Sequence, residues 1–353
     1  MRKILFIGSS RYDKIIGPLR LHYNVIILQQ AHFNIYRLHQ KIYSAIKNER
    51  PDVLLCDDYQ GIVPMIVGYI AKRSGIPYII RPRGAFWHRL HDRYEDSILA
   101  PAYRRFFSLT RSLTFSQATG VLPISNFLRD QVLDRFPLPP NKVITVNQAV
   151  DLDRFSPFPE CDRNKHIIVV TGFNFKKKYM ALVHHACSLK RVLEENPDWK
   201  ICIFGGGHAI ELCKREMKMA MGDLNPRVEF MGKVPNIEDH IRRSKILLHL
   251  TYRETYPNVV LEAMASSVPV VVNRYGGNHE ALSRSRESAG NIIDSDTELY
   301  QSLTELISSQ STRLDYGQAG RRYVQIYHSK NAIGSSFQSA IEQILGTTSM
   351  TFA

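Results

Sequence analysis

The alternation of short β-branched runs with longer helix-forming segments is what most narrows the folds open to this chain. Ile4–Ile7, Asn24–Leu28, Val53–Cys56 and Tyr78–Ile80 are apolar runs of strand length, interleaved with helix-like stretches such as Leu38–Asn48 and Pro64–Ser74. Such runs, with no polar face, suit strands covered by helices on both sides, the pattern of a parallel sheet built from βαβ units. The rhythm resumes after the Pro-rich stretch Ser156-Pro157-Phe158-Pro159. Ile167–Val170, Lys200–Phe204, Val228–Met231, Ile246–Leu250 and Val268–Val272 read as strands, with helices predicted over Ala181–Glu194, Glu211–Met221 and Ile237–Arg243. A chain of 353 residues also exceeds the usual single core. Two Rossmann-like α/β domains facing across a cleft are therefore expected, 1–157 and 158–328.

In sheets of this kind ligands bind beyond the carboxyl ends of the strands. Gly8-Ser9-Ser10, Asp57–Gln60 and Arg81–Trp87 fall there in the first half. Gly8-Ser9-Ser10 is not a G-x-G-x-x-G fingerprint, which argues against a dehydrogenase. Charge says more about partners: a net +13 fits a phosphorylated substrate, an anionic membrane surface or nucleic acid. No nucleic-acid motif accompanies it, so no nucleic-acid partner is expected. Between Arg81 and Arg111 stand Arg83, Arg89, Arg93, Arg104 and Arg105, interspersed with Phe86, Trp87, Phe106 and Phe107. That stretch is either a solvated helix pair laced with ion pairs or an acceptor or membrane-surface patch.

Five cysteines without a CxxC pair argue against a disulfide framework and a zinc site. No apolar run approaches the roughly 20 residues that cross a bilayer, and Met1-Arg2-Lys3-Ile4 enters a strand without a cleavage site. A cytoplasmic protein is the expectation.

Thr251–Leu282 carries the candidate chemistry. A loop bearing Glu254 leads into an apolar helix from about Pro257 to Ser266, then a β-branched strand and a Gly276-Gly277 turn. Val259, Val260, Leu261, Ala263 and Met264 surround Glu262, so the helix reads as buried nearly all round and yet carries a carboxylate. Burying that charge costs several kcal/mol unless donors satisfy it. Sugar hydroxyls could do so; a core glutamate capped by backbone amides is the bland alternative. Glu254 and Glu262 can both reach one ligand, and the unpaired amides of Asn258, Val259 and Val260 at the helix start suit a phosphate or a polarised hydroxyl.

Glu254 and Glu262 with seven residues between them, Val268-Pro269-Val270-Val271, and Gly276-Gly277-Asn278-His279-Glu280 recur here in order. The combination resembles the Glu-x7-Glu signature of retaining glycosyltransferases of the GT-B type, the family-4 group. Asn147-Gln148-Ala149-Val150-Asp151 through Phe155 resembles the family's exit from its first domain, and Ser329–Leu345 the terminal helix that crosses back onto it. Asp151-Leu152-Asp153 is a literal DxD, but it precedes a Pro-rich linker instead of ending a buried strand, so it is discounted as a metal site.

The resemblance implies a donor site for a nucleotide-diphosphate sugar, with Glu254 and Lys178 as the catalytic pair. Lys178 matches the family's diphosphate-clamping lysine, while Phe173 stands where the family has an arginine, leaving Lys176, Lys177 and Lys178 to supply the charge. Glu262 would bind the ribose, and Gly172, Lys177, Gly205, Val234, Tyr256, Pro257, Asn258 and Val259 would complete the donor site. Gly8, Ser9, Arg83 and Gly84 are the implied acceptor-binding residues; Arg83, always protonated, can bind an acceptor but not act as a base. The implied reaction is front-side retaining transfer of a hexose to a glycan or lipid-linked acceptor in surface polysaccharide or glycolipid synthesis. It needs no metal and no cofactor beyond the donor. A sugar-nucleotide hydrolase or epimerase, and a non-catalytic glycan-binding module, are the alternatives, separated by product analysis.

Overall fold

The apolar runs form strands, and every strand pairing among the described residues is parallel. The computed structural model describes residues 1–8, 13–29, 35–57, 61–84, 100–285 and 287–349. Two units result, Met1–Ala149 with Lys330–Ala353, and Val150–Ser329. The division falls at Ala149–Val150, ahead of the Ser156-Pro157-Phe158-Pro159 stretch, where the Val150 amide donates to the His328 carbonyl at 2.9 Å. That bond ties together the two ends of the second unit.

In the first unit, β1 (Lys3–Gly8), β2 (Asn24–Gln29), β3 (Val53–Cys56), β4 (Tyr78–Ile80) and β5 (Gly120–Val121) lie in the order β2-β1-β3-β4-β5. Ile4, Leu5, Phe6 and Ile7 are all fully buried, as continuous apolar strands must be when helices cover both faces. Each such side chain contributes about 1.5–3 kcal/mol on leaving water. The helices Ile35–Glu49, Ile62–Arg73 and Ala100–Gln117 pack side by side. Asp13–Leu19 packs instead on the terminal helix Lys330–Ser349. That helix presents Ile333, Phe337, Ile341 and Ile344 at helical spacing to the core around β1.

Two members of the arginine-rich stretch are not surface residues. Arg81 is fully buried, donating to the Val146 carbonyl at 2.7 Å and the Asn147 carbonyl at 3.0 Å, and Arg111 donates to the Phe107 carbonyl at 2.9 Å within its own helix. Both satisfy backbone acceptors and so leave the proposed patch. Arg104 and Arg105 are exposed. Phe86, Trp87, Arg89, Arg93, Ser9 and Asp58–Gln60 lie outside the described residues.

In the second unit, β6 (Asn164–Val170), β7 (Lys200–Phe204), β8 (Val228–Gly232), β9 (Ser244–His249), β10 (Val270–Asn273) and β11 (Gly290–Ile293) lie in the order β11-β10-β9-β6-β7-β8. This is the doubly wound order whose direction reverses between β6 and β9. The helix predicted over Ala181–Glu194 is two helices, Lys176–His184 and Ala186–Glu195, broken at His185, whose Nδ1 lies 2.8 Å from Asp296. No helix among the described residues is long and apolar enough to cross a membrane.

Candidate functional site

The reversal between β6 and β9 leaves two strand ends whose following loops diverge, and both carry site residues. After β6 come Thr171–Phe175 and a helix beginning at Lys176; after β9 come Leu250–Pro257 and the helix Asn258–Ala265. The loops are joined by the Tyr252 amide donating to the Lys177 carbonyl at 2.9 Å. Lys178 and Glu254 are thereby brought together, with Nζ 2.9 Å from Oε2 and side chains 28% and 14% exposed. The other Glu254 oxygen accepts from the Thr255 amide at 3.0 Å. Burial works against the carboxylate's charge, but Lys178 and His249 outweigh it and hold the group well below the usual carboxylate range. Glu254 is thus an ionised acceptor, suited to bind hydroxyls and unsuited to donate a proton.

In the sequence His249 reads as part of the strand Ile246–Leu250. It closes β9, is almost wholly buried, and sets Nε2 at 3.7 Å from Glu254 Oε2; among the described residues neither ring nitrogen has a closer hydrogen-bond partner. A buried imidazole whose nearest acceptor is a carboxylate at 3.7 Å is only loosely satisfied. The available signal was its position: a polar residue ending an apolar strand at the switch point.

The Gly276-Gly277-Asn278 segment builds the Glu254 loop. A Cβ on Gly277 would run into the Thr255 carbonyl, and its amide donates to the Glu254 carbonyl at 3.2 Å. Asn278, fully buried, lies with Nδ2 3.1 Å from the His249 carbonyl and 2.9 Å from Asn273 Oδ1. Asn273 in turn accepts from the Thr251 amide at 3.0 Å and donates to the Thr251 carbonyl at 3.0 Å. The glutamate is held by main chain and buried amides at both ends.

The Gly205-Gly206-Gly207 loop has a similar logic. Cβ atoms on Gly205 and Gly207 would collide with the backbone of Thr171 and of Phe173–Asn174, and both glycines have positive φ, 138° and 153°. At Gly172 a Cβ would meet nothing within 4 Å. Phe173 is fully buried between Tyr179 and Phe230, with ring centroids at 5.8 and 6.4 Å. Its position therefore points to the core and offers nothing to a ligand. Lys176 and Lys177 are exposed and Val234 is half-buried. Arg253, also in the Glu254 loop, lies 3.7 Å over the Phe175 ring.

The helix Asn258–Ala265 starts behind Pro257, which has no side-chain group to cap it, so Asn258 and Val259 enter half-buried with their amides unclaimed by a cap. Its other end is secured: Arg163 donates to the Ser267 carbonyl at 2.8 Å and Arg321 to the Ala265 carbonyl at 2.6 Å. Glu262 is half-buried, not enclosed as its apolar neighbours suggested, and Arg154 feels its charge. On so short a helix the apolar residues cover one face and Glu262 lies off it. Tyr256 is buried, its hydroxyl 3.1 Å from His328 Nε2, so that side chain is committed within the unit.

The first unit has an edge of its own. Gly8 ends β1 and faces Asp57, whose carboxylate lies 3.8 Å from Arg81 Nε and 3.1 Å from Arg83 Nη2. Gly84 follows, with open space around it. Among the described residues no group of three or more His, Cys, Asp or Glu is placed to hold a metal ion.

Two doubly wound parallel units, of five and six strands, match the fold of GT-B glycosyltransferase structures. Residues 164–309 match the family model described as Glycosyl transferases group 1, and residues 7–154 match Glycosyltransferase Family 4. The chain belongs to this family-4, group-1 type of glycosyltransferase.

Among curated proteins it is similar to the phosphatidylinositol N-acetylglucosaminyltransferase GPI3 subunit of Saccharomyces cerevisiae, 22% identical over 242 residues that cover 66% of this chain and 49% of the relative. It spans about half the length of that relative. The UDP-Gal:alpha-D-GlcNAc-diphosphoundecaprenol alpha-1,3-galactosyltransferase of Escherichia coli is 21% identical over 251 residues, covering 67% of this chain and 62% of the relative. Among solved structures, Anabaena HepE in complex with UDP-glucose superposes with a TM-score of 0.71 at 14% identity, covering 99% of this chain and 100% of HepE.

Proposed function

We propose that the chain is a retaining glycosyltransferase that moves a hexose from a nucleotide-diphosphate sugar to a glycan or lipid-linked acceptor in polysaccharide or glycolipid synthesis. The observation that carries this is the Lys178–Glu254 pair at 2.9 Å beside the uncapped start of the helix Asn258–Ala265. Glu254 accepts hydrogen bonds from the hexose hydroxyls. Lys178 and the amides of Asn258 and Val259 neutralise the departing diphosphate without a metal ion. Glu262 accepts from the ribose hydroxyls. Gly172, Lys177, Gly205, Val234, Tyr256 and Pro257 shape the donor site through main chain and packing, and Gly8, Arg83 and Gly84 meet the acceptor. With no protein acid available at Glu254, the leaving phosphate oxygen assists the acceptor hydroxyl.

The nucleotide sugar is supported by the UDP-glucose in HepE, and the lipid-linked acceptor by the phosphatidylinositol and diphosphoundecaprenol in the names of the yeast and bacterial relatives. A cytoplasmic setting belongs to the same proposal, in keeping with five cysteines that form no CxxC pair. Thermal denaturation against UDP-, GDP- and ADP-sugars tests the proposal. A donor at a hundred times its Kd stabilises the protein by about 2.7 kcal/mol. Glu262→Ala is expected to abolish the shift; an unchanged shift removes Glu262 from the site.

A further inference from the structure

The proposed chemistry gives no part to the ring that lies beside Glu254. His249 closes β9, and its chain neighbours Ile246, Leu247, Leu248 and Leu250 are all apolar and buried. An apolar side chain would fill that place without taking two ring nitrogens out of water. The main chain there is fixed from two sides: Val272 of β10 pairs with His249 in parallel register, and the His249 carbonyl accepts from Asn278 Nδ2 at 3.1 Å. The ring therefore stands on the rigid sheet, whereas Glu254 stands in the loop that follows. Nε2 is 3.7 Å from Glu254 Oε2, and among the described residues neither ring nitrogen has a closer hydrogen-bond partner. A neutral imidazole has one donor and one acceptor, and only the tautomer with Nε2–H sets a donor against the carboxylate; the other would oppose two lone pairs.

Donor binding changes what Lys178 has to do. In the donor reading, on which this inference rests, its ammonium turns to the diphosphate while Glu254 takes the hexose hydroxyls. The Thr255 amide keeps one carboxylate oxygen at 3.0 Å, but the other, now 2.9 Å from Lys178 Nζ, has to share its cation. We infer that His249 is a positioning residue: its Nε2–H takes hold of Glu254 Oε2 as Lys178 engages the diphosphate, and so keeps the carboxylate in the orientation that reads the hexose. A closure of less than about 1 Å brings the pair to a hydrogen bond of about 2.7–3.2 Å. Against the cost of burial, Lys178 and then His249 already keep Glu254 ionised. A ligand-binding side chain on a loop gains precision from a support of this kind on a regular element behind it. Because Glu254 meets the hexose and not the nucleotide, loss of the ring should be felt by the nucleotide sugar and not by the nucleoside diphosphate alone.

The test compares two ligands by calorimetry: the nucleotide sugar that gives the largest thermal shift among UDP-, GDP- and ADP-sugars, and the nucleoside diphosphate of the same base. His249→Leu, which fills the buried place without a donor, is expected to weaken the nucleotide sugar about tenfold while leaving the nucleoside diphosphate within about twofold of wild type, the lower end of what losing the partner behind a ligand-binding side chain costs. His249→Gln, whose amide N–H reaches about as far as Nε2, should recover most of that loss. In a Glu254→Ala background nothing is left to position, so adding His249→Leu should change either affinity by less than about twofold. Equal weakening of both ligands, weakening of neither, no recovery in His249→Gln, or an additive effect in the Glu254→Ala background would each overturn the inference and leave the donor reading standing. Nucleotide-sugar affinity unchanged by Glu254→Ala itself would instead bring down the donor reading of Glu254, and the inference with it.

Discussion

The two units carry the same kind of strand edge and put opposite uses to it. At the reversal of the first sheet, Asp57 meets Arg81 and Arg83, and Arg81 spends its remaining donors on the Val146 and Asn147 carbonyls. Burial above all lowers the Arg81 guanidinium to about 10, with Asp57 resisting the shift. That edge is a packed structural joint, with Arg83 the more exposed of the two arginines. At the reversal of the second sheet, Glu254 meets Lys178 at 2.9 Å and His249 at 3.7 Å, and the helix start ahead of Asn258 has no side-chain cap. Topology supplies the place; the balance of donors and acceptors decides whether it holds a ligand or holds the fold.

Substitution can break this contrast. The largest effect is expected from Glu254→Gln, which keeps the shape and removes the charge: turnover should fall about 10²–10³-fold, as when one transition-state partner is lost. A fall below tenfold would demote the pair to a structural role. Asp57→Ala should do the reverse, costing about 3 kcal/mol of stability because Arg81 stays buried without its counter-ion, while donor affinity is unchanged in titration. Gly277→Ala forces a Cβ against the Thr255 carbonyl and should cost about 1–3 kcal/mol with a matching loss of turnover, since it moves the Glu254 loop.

The acid response sharpens the same point. Glu254 titrates lower folded than unfolded, so its contribution to stability is complete above the unfolded value of about 4.3 and is lost as pH falls toward the folded one. Denaturation at successive acid pH values should therefore show wild type losing more stability than Glu254→Gln.

Much of this was legible in residues. Strand runs such as Val53–Cys56 are apolar throughout and short, as parallel strands covered by helices on both faces are. The Glu254 and Gly276-Gly277 elements could be read because spacing is a sequence property. Other features depend on where a side chain points. Phe173 reads as a missing arginine, yet it is a core residue whose amide donates a hydrogen bond to the Gly206 carbonyl at 3.1 Å. Glu262 reads as enclosed because its neighbours are apolar, but eight residues make little more than two turns, and a wheel that short does not say which face a partner covers. His249 was hidden by its strand: an alternation pattern tells inward from outward and says nothing of what stands 3.7 Å away.

Gly172→Ala gives the smallest expected effect on stability and the cleanest separation of the two uses. Gly205, Gly207 and Gly277 are glycines because protein backbone occupies the space a Cβ would take, so replacing them confounds folding with binding. Around Gly172 that space is open to 4 Å. Alanine there should change stability by less than about 0.5 kcal/mol, as for a surface substitution. If a donor phosphate approaches the main chain after β6, the added methyl will nevertheless weaken nucleotide-sugar binding, read as a smaller thermal shift and a weaker Kd by calorimetry. Stability and affinity both unchanged would mean that the donor sits elsewhere along the edge, nearer Glu254 and Asn258, and would remove Gly172 from the site while leaving the Lys178–Glu254 pair in place.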